Sequence, residues 1–331
     1  MKHFFTSKQE SKLSQLKINI INGKLAERYF ASILTTALDA RVSFTSRTED
    51  DAKLDLVTIM SHPWKKNTVE ILFTQVKSGK TYAQVVENKL IVNKDELTDL
   101  LNRNHNSLIC WTEVNDDNAY WFFIKAKARF FKTEYNISHK FSPLTKFDLL
   151  RLTTSSNDKN GGSGLIFNRK NIRSEYSKDD YVKLRNEAKL NYKKFKKEET
   201  INPLFGKIEF TRLGWRHITR ESRWYRYEVA SLEIIRILDK ILSLSPSNHY
   251  IINCYENNDD TNFSFREVEY LLSYEKVKAY NKETHKLENV TVFIKLLEIG
   301  TYLKEWKQRP KNTSAIYRRV IFKSIYYKQS S

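Results

Sequence analysis

Cysteine is almost missing: Cys110 and Cys254 are the only two in 331 residues. They stand far apart with no histidines at zinc spacing, which leaves no basis for a disulfide framework or a structural zinc site and points to a reducing cytosol. Long apolar runs are missing too. No stretch reaches the ~20 apolar residues of a membrane span, and the start, Met1-Lys2-His3-Phe4-Phe5-Thr6-Ser7, leads into polar residues. Neither a transmembrane helix nor a signal peptide is expected, and the expected location is cytoplasmic. A phosphate-cradling loop is also lacking. Gly161-Gly162-Ser163-Gly164 has no Lys-(Ser/Thr) after it, so a P-loop ATPase motor is not expected within the chain. No internal repeat is visible.

Acidic residues are outnumbered: 39 Asp and Glu stand against 57 Lys and Arg, a formal net charge of +18. A protein that basic usually meets a polyanion. The same excess of Lys, Asn, Ile and Tyr also arises in proteomes of AT-rich genomes, so charge favours nucleic acid only modestly. Hydrophobic residues make up 40% and aromatics 13%, enough to bury at least one proper core.

The length suggests about two domains. Residues 14–38 carry apolar positions at three- and four-residue steps (Leu25, Ala26, Tyr29, Ile33, Leu34) and predict a helix. Strands are predicted over 41–45, 54–60 and 69–76, with a polar turn at 46–53 and a loop holding His62, Pro63 and Asn67. Residues 95–104 look helical. Segments 107–114 and 120–127 flank Asn115-Asp116-Asp117-Asn118, a hairpin signal. This order predicts an α/β layer domain over 1–153. Ser155 to Gly164 is rich in residues that do not pack and predicts a linker or exposed loop, followed by a basic helix over 177–199. Residues 201–331 predict an α+β domain: one long amphipathic helix over 223–244, then strands over 249–255, 263–274, 290–297 and 315–327.

The stretch Gln75-Val76-Lys77-Ser78-Gly79 closes a β-prone run, Asp55 heads another, and Glu27 sits on the first helix. Phosphodiester hydrolysis requires charge stabilisation on phosphoryl oxygens and an activated water, and a divalent cation answers both. Magnesium takes one or two carboxylates plus neutral oxygens. Asp55 and Glu27 can supply carboxylates and Gln75 an amide oxygen. Lys77, two residues on, shares a strand face with Gln75 and can orient water or stabilise developing charge. Gly79 allows a sharp turn, after which Lys80, Tyr82 and Gln84 could touch a nucleic-acid backbone. Taken singly, an Asp at a strand start is usually a cap and a Gln-x-Lys a solvated face; the ordered conjunction carries the expectation.

Gly23-Lys24-Leu25-Ala26-Glu27, Asp55-Leu56-Val57 and Gln75-Val76-Lys77-Ser78-Gly79 together resemble the PD-(D/E)xK, or restriction-endonuclease-like, nuclease superfamily. More narrowly they are similar to its defence-associated bacterial branch with a Gln-Val-Lys-(Ser/Thr)-Gly signature, which Cys110-Trp111 and Tyr120-Trp121 also fit. The resemblance covers roughly residues 14–150. It implies a mixed sheet flanked by helices, Mg²⁺ (or Mn²⁺) dependence and DNA cleavage in defence against phage or plasmids. Glu27, Asp55, Gln75 and Lys77 are then catalytic, the first three as metal ligands. The sequence departs from the family in having Leu54 where Pro is common and Gln75 where many members have an acid, which puts weight on Glu27.

A second region, Phe210-Thr211-Arg212-Leu213-Gly214-Trp215-Arg216-His217-Ile218-Thr219-Arg220, gathers His, Arg and hydroxyls. His217 could serve as a base or acid near neutral pH, with Arg216, Arg220 and Arg223 holding phosphate and the last strand offering Lys323 and Ser324. Residues 205–328 loosely resemble the barnase–EndoU–colicin–RelE group of small RNases, which implies metal-independent RNA cleavage. The bland reading is a specificity or partner-binding domain with an ordinary hydrogen-bonded histidine. Arg223-Trp224-Tyr225-Arg226-Tyr227 could stack bases but more often would be half-buried packing. Lys193 to Lys197 could contact DNA or be a solvated face. The expectation is a Mg²⁺-dependent DNA endonuclease. Its alternatives are a non-catalytic nucleic-acid-binding or regulatory subunit and an RNase toxin acting through His217. DNA is the expected partner, ahead of RNA. An ATPase or sensor partner and a homo-oligomer stay open, and no membrane is involved.

Overall fold

Two sheets of different character organise the chain in its computed structural model, which describes residues 7–45, 54–87, 89–113, 118–154, 161–169, 176–222, 224–257, 262–307 and 316–329, with side chains of the opening helix described from residue 22. The fold is α/β with mixed sheets. The chain divides into a first unit, Met1–Leu149 with Lys304–Ala315, and a second, Leu150–Leu303 with Ile316–Ser331. Among the described residues no helix is long and apolar enough to cross a membrane.

In the first unit α1 (Ser7–Leu38) packs on a five-stranded sheet. Its strands are β1 (Ala40–Phe44), β2 (Leu56–Ser61), β3 (Val69–Ser78), β6 (Ser107–Thr112) and β7 (Ala119–Ile124), in that spatial order. All neighbours are antiparallel except β3 and β6, which run parallel. A parallel pair needs a crossover. Here it is supplied by the hairpin β4 (Ala83–Val86) and β5 (Lys89–Val92) and a 3₁₀ turn, Asp95–Leu100, where the sequence predicts a helix over 95–104. The small sheet β4-β5-β8, with β8 at Glu134–Tyr135, closes a core of Leu90, Leu97, Ile109, Trp111 and Phe122. The face of α1 that packs inward carries Ala26, Phe30, Ile33, Leu34, Ala37 and Leu38, all buried at three- and four-residue spacing, whereas Leu25, expected on that face, is 56% exposed and Tyr29 is half-buried. The unit's last helix is α2 (Thr145–Thr154), which continues past Leu149. The expected turns at 46–53 and at Asn115–Asp117 lie outside the described residues.

The second unit is built on long antiparallel strands: β12 (Asn248–Asn257), β13 (Phe263–Asn281), β14 (Lys286–Leu303) and β15 (Tyr317–Gln329). Short β9 (Ile166–Arg169) pairs parallel to the far end of β13. Inward and outward residues alternate along β14, the period of a sheet with one buried face. That face carries Tyr270, Leu272, Tyr274, Val292, Ile294, Leu296, Phe322 and Ile325. The helices α3 (Lys178–Phe195), α4 (Arg212–Ile218), α5 (Tyr225–Ile234) and α6 (Leu238–Leu242) contribute to the same core, as does the small hairpin β10 (Thr200–Asn202) and β11 (Gly206–Ile208). Ser177 caps α3 by accepting from Asp180 N, and Leu184, Ala188, Tyr192 and Phe195 bury its inner stripe.

Two further expectations are corrected here. The long helix over 223–244 is broken: α5 ends at Ile234, a 3₁₀ turn takes Ile235–Ile237, and α6 resumes. The expectation that the stretch ending in Gly161 to Gly164 does not pack holds for Ser163 and Gly164, which are exposed, and fails for the two residues before them. Gly161 and Gly162 are buried. A Cβ on Gly162 would collide with Val277 Cγ2 and come within 3.0 Å of the Glu275 carbonyl oxygen, so the missing side chain is what lets this turn lie against β13. Residues 155–160 lie outside the described residues. In addition to these corrections, β15 contains a bulge: Phe322 faces Leu296 and Ser324 faces Lys295, leaving Lys323 as the extra residue.

A buried charge cluster also marks this unit. Glu298 on β14 is 2% exposed and meets Arg151 at 3.0 Å and Arg318 at 2.5 Å. Arg266 adds a third nearby positive charge, and Arg151 lies over the rings of Phe205 and Tyr270. Burial works against the charged form of Glu298, but Arg151, Arg318 and Arg266 overcome it and hold its carboxyl far below the usual range.

Candidate functional site

The register of β2 and β3 creates the first site. Pairing runs from Ser61↔Val69 to Leu56↔Thr74, so β3 continues beyond the start of β2 through Gln75 to Ser78. Asp55 stands at that edge. Its N–H donates to the Thr74 carbonyl at 3.0 Å, and its own carbonyl accepts from Thr45 N at 3.2 Å. The Val76 N–H has run out of β2 backbone, and a buried N–H must find an acceptor. Asp55 Oδ2 provides it at 2.5 Å. The same oxygen accepts from Gln75 Nε2 at 2.7 Å. Asp55 and Gln75 are 9% and 4% exposed.

Gln75 Oε1 is buried and lacks a hydrogen-bond partner. With its amide nitrogen committed to a carboxylate, the carbonyl end is an oxygen donor held without a donor opposite it. Such a group costs roughly 1–3 kcal/mol when left unsatisfied. Beneath it, β6 places Cys110 opposite Val76. Burial, and then the Asp55 charge, push the Cys110 thiol well above its ordinary range, so that thiol stays protonated and inert.

Lys77 follows on the Gln75 face of β3, half-buried, its ammonium 5.0 Å from the centre of the Tyr82 ring. Gly79 turns the chain with φ 86°, a left-handed value that only glycine adopts freely. Its N–H donates to Thr112 O at 3.0 Å and its carbonyl accepts from Trp111 Nε1 at 2.9 Å, which ties the end of β3 to β6. Glu27 is half-buried at the margin of the α1 stripe, a turn before Phe30. Lys80 is exposed and pairs with Glu113 at 3.1 Å, and Gln84 is exposed on β4. Tyr82 is half-buried against Lys77 rather than offered freely.

Whether these residues fit a divalent cation rests on the donor set. Among the described residues no three of His, Cys, Asp and Glu are grouped to hold a metal ion. A cation here would therefore use neutral oxygen alongside carboxylate, the pattern magnesium accepts. The unsatisfied Gln75 Oε1 beside the Asp55 carboxylate is such a pair, so the residues fit.

The second unit assembles a separate group. α4 starts at an N-cap, Thr211, whose side chain accepts from Leu213 N. Gly214 brings it close to β15: a Cβ there would lie 2.5 Å from the Phe322 carbonyl oxygen and 2.8 Å from Phe322 Cδ1, and against the Tyr192 hydroxyl. This approach delivers His217 into a cavity of about 650 Å³ that Lys323, Ser324 and Arg220 also line. The sequence-predicted residues His217, Lys323 and Ser324 thus come together. Arg216 is exposed and does not line the cavity, and Arg223 lies outside the described residues. Trp224 and Tyr227 are 73% and 59% exposed, where the sequence favours half-buried packing, and both line the cavity.

The sequence reading missed Glu269 and Lys295. Glu269 Oε2 accepts from Lys323 Nζ at 2.6 Å and Oε1 from Lys295 Nζ at 3.3 Å. Burial raises the Glu269 carboxyl, but those two hydrogen-bonded ammonium groups more than offset it and hold it below its usual range. His217 is lowered by burial first, then by Lys323 and Arg220, with Glu269 opposing and Lys295 adding to the shift. No local motif signals this cluster, because β13, β14 and β15 bring it together across more than 50 residues.

Comparison with known proteins adds no relative: no family model, no curated protein and no solved structure matches the chain.

Proposed function

We propose that the first unit is a divalent-metal-dependent nuclease that hydrolyses phosphodiester bonds of DNA. The observation that carries this reading is the pair at the end of β3. Gln75 is locked by its amide nitrogen onto Asp55 while its buried Oε1 stays without a partner. Asp55 and Gln75 would hold Mg²⁺ or Mn²⁺, with Glu27 on the adjacent helix as the further carboxylate that the absent second acid of the strand calls for. Bound there, the cation would act as Lewis acid on the phosphoryl oxygen and lower the pKa of a ligated water.

The chain's own residues supply the rest. Asp55 is fixed by Val76 N–H and the Gln75 amide, so its remaining lone pairs have one orientation. Lys77 sits on the same strand face, where an ammonium can pair with the scissile phosphate and stabilise its growing negative charge. Tyr82 beneath the ammonium restricts where it can swing. The net charge of +18 favours encounter with a polyanion.

Cleavage of supercoiled plasmid with Mg²⁺ or Mn²⁺ tests this. Asp55→Asn is the informative variant, because its amide oxygen can still accept from Val76 N–H while the charge is gone. Asp55→Asn and Lys77→Ala are each expected to lose about 100-fold or more in rate with little change in fold. Parental rates in both variants would reject the assignment, as would equal cleavage in EDTA.

A further inference from the structure

The cavity of the second unit has a composition that the nuclease reading of the first unit does not use. Among the described residues, four cationic side chains, Arg220, Lys295, Lys323 and Lys328, line it against one carboxylate, Glu269. Two of these cations are held rather than loose. Lys323 and Lys295 are 22% and 34% exposed, and both are tied to Glu269, itself 15% exposed. Their ammonium groups are therefore fixed a short distance apart, and their combined charge exceeds that of the acid between them. Beside them stand Trp224 and Tyr227, large rings left facing solvent. A cationic floor with an aromatic rim matches a phosphate joined to a flat base. The volume of about 650 Å³ lies in the range of small-ligand sites and suits one nucleotide.

The same geometry argues for holding over cutting. Metal-free cleavage needs one group to take a proton and another to give one. Against the effect of burial, Lys323 and Lys295 lower the Glu269 carboxyl, and burial and then the cations of β15, β14 and the turn after α4 lower His217. Both shifts favour the unprotonated form, while Lys323 and Lys295, tied to Glu269, are placed to hold a phosphate.

We propose that this cavity binds a nucleoside phosphate, the phosphate on Lys323, Lys295 and Arg220 and the base against Trp224. The phosphate-bearing nucleotide could be free or could be the 5′ end of a polynucleotide, since both present the same chemistry.

Calorimetric titration of the full chain in EDTA tests the inference, with 5′-AMP, adenosine, inorganic phosphate, and a single-stranded oligonucleotide with and without its 5′-phosphate as probes. AMP is expected to bind at least tenfold more tightly than either adenosine or phosphate alone. Lys323→Met and the exposed Arg220→Gln are expected to weaken AMP several-fold or more. Trp224→Ala is expected to weaken AMP about tenfold while leaving phosphate unchanged. If the phosphorylated oligonucleotide outbinds both AMP and its dephosphorylated form, the source is a polynucleotide end. If AMP binds best, it is a free nucleotide. Each of those two outcomes supports the site. Equal affinity for AMP and adenosine, no binding by any probe at millimolar concentration, or normal AMP affinity in Arg220→Gln and Lys323→Met with the fold intact overturns it. Asp55→Asn should bind AMP like the parent, so failure of the metal-site reading leaves this result readable.

Discussion

Glu298 is the residue whose loss should cost the second unit most. Its carboxylate meets Arg151 and Arg318 and lies near Arg266, with Arg151 and Arg266 each 2% exposed. Glu298→Gln keeps the shape and removes the carboxylate charge that Arg151 and Arg318 meet in the interior. Breaking a buried ion pair from one side costs roughly 3–5 kcal/mol, a large part of the ~5–15 kcal/mol that holds a typical domain. For a unit of this size each kcal/mol shifts Tm by about 2–4 °C, so a fall on the order of 10 °C is expected. Arg151→Met should cost less, because Arg318 still bonds to the carboxylate through Nε at 2.5 Å, although Arg151 also gives up its place over two rings. Differential scanning calorimetry and urea titration of both variants give the comparison. If Glu298→Gln unfolds within about 1 °C of the parent, or if Arg151→Met is the more damaging, the Glu298 carboxylate is not what balances this cluster.

Gly214→Ala should push α4 away from the Phe322 carbonyl. A loss of about 1–3 kcal/mol is expected, together with weaker AMP binding because His217 and Arg220 move with the helix; calorimetry and nucleotide titration check both effects. Gln75→Glu would set a second carboxylate against Asp55, and two such groups cannot both ionise cheaply. A lower Tm in EDTA that Mg²⁺ restores is expected, and a Tm indifferent to Mg²⁺ would count against a metal at this pair. His62 is buried, with its pKa lowered to about 4 by desolvation and then by Lys65. Because the unfolded chain takes up that proton near pH 6.5 and the folded chain does not, stability is full above about 6.5 and falls as pH drops toward 4. The loss reaches about 2–3 kcal/mol. Urea midpoints across that range should lose this slope in His62→Phe.

Much of the architecture can be read from the chain because it follows local periodicity. The apolar spacing in α1 reads in most positions. The strands β13 and β14, which continue to a shared turn, read over 263–274 and 290–297 but not over 275–281 and 286–289. The break at Ile235–Ile237 does not, since the apolar pattern of residues 229–242 runs unbroken through both helix types. Crowding of β-branched Ile234, Ile235 and Ile237 is the local feature that coincides with it. Gly161-Gly162 reads as a loop by composition, whereas its function is close approach to β13, visible only once Val277 is in place. Asp55 and Gln75 could be found because Asp55 heads one β-prone run and Gln75 closes the next. Glu269 and Lys295 could not, because nothing short of the sheet register relates them to His217.

The bulge in β15 separates what the sheet needs from what the cavity uses. Regular alternation would send Lys323 and Ser324 to opposite faces, yet both line the cavity, because the strand carries one residue more than its partner β14 pairs. A chain shortened by that single residue could join Phe322 to Ser324 and continue the same ladder on Leu296 and Lys295. Deletion, usually the harshest change to a strand, would here be the mild one. It would remove a cation from the cavity while keeping every other pairing of β15 in place.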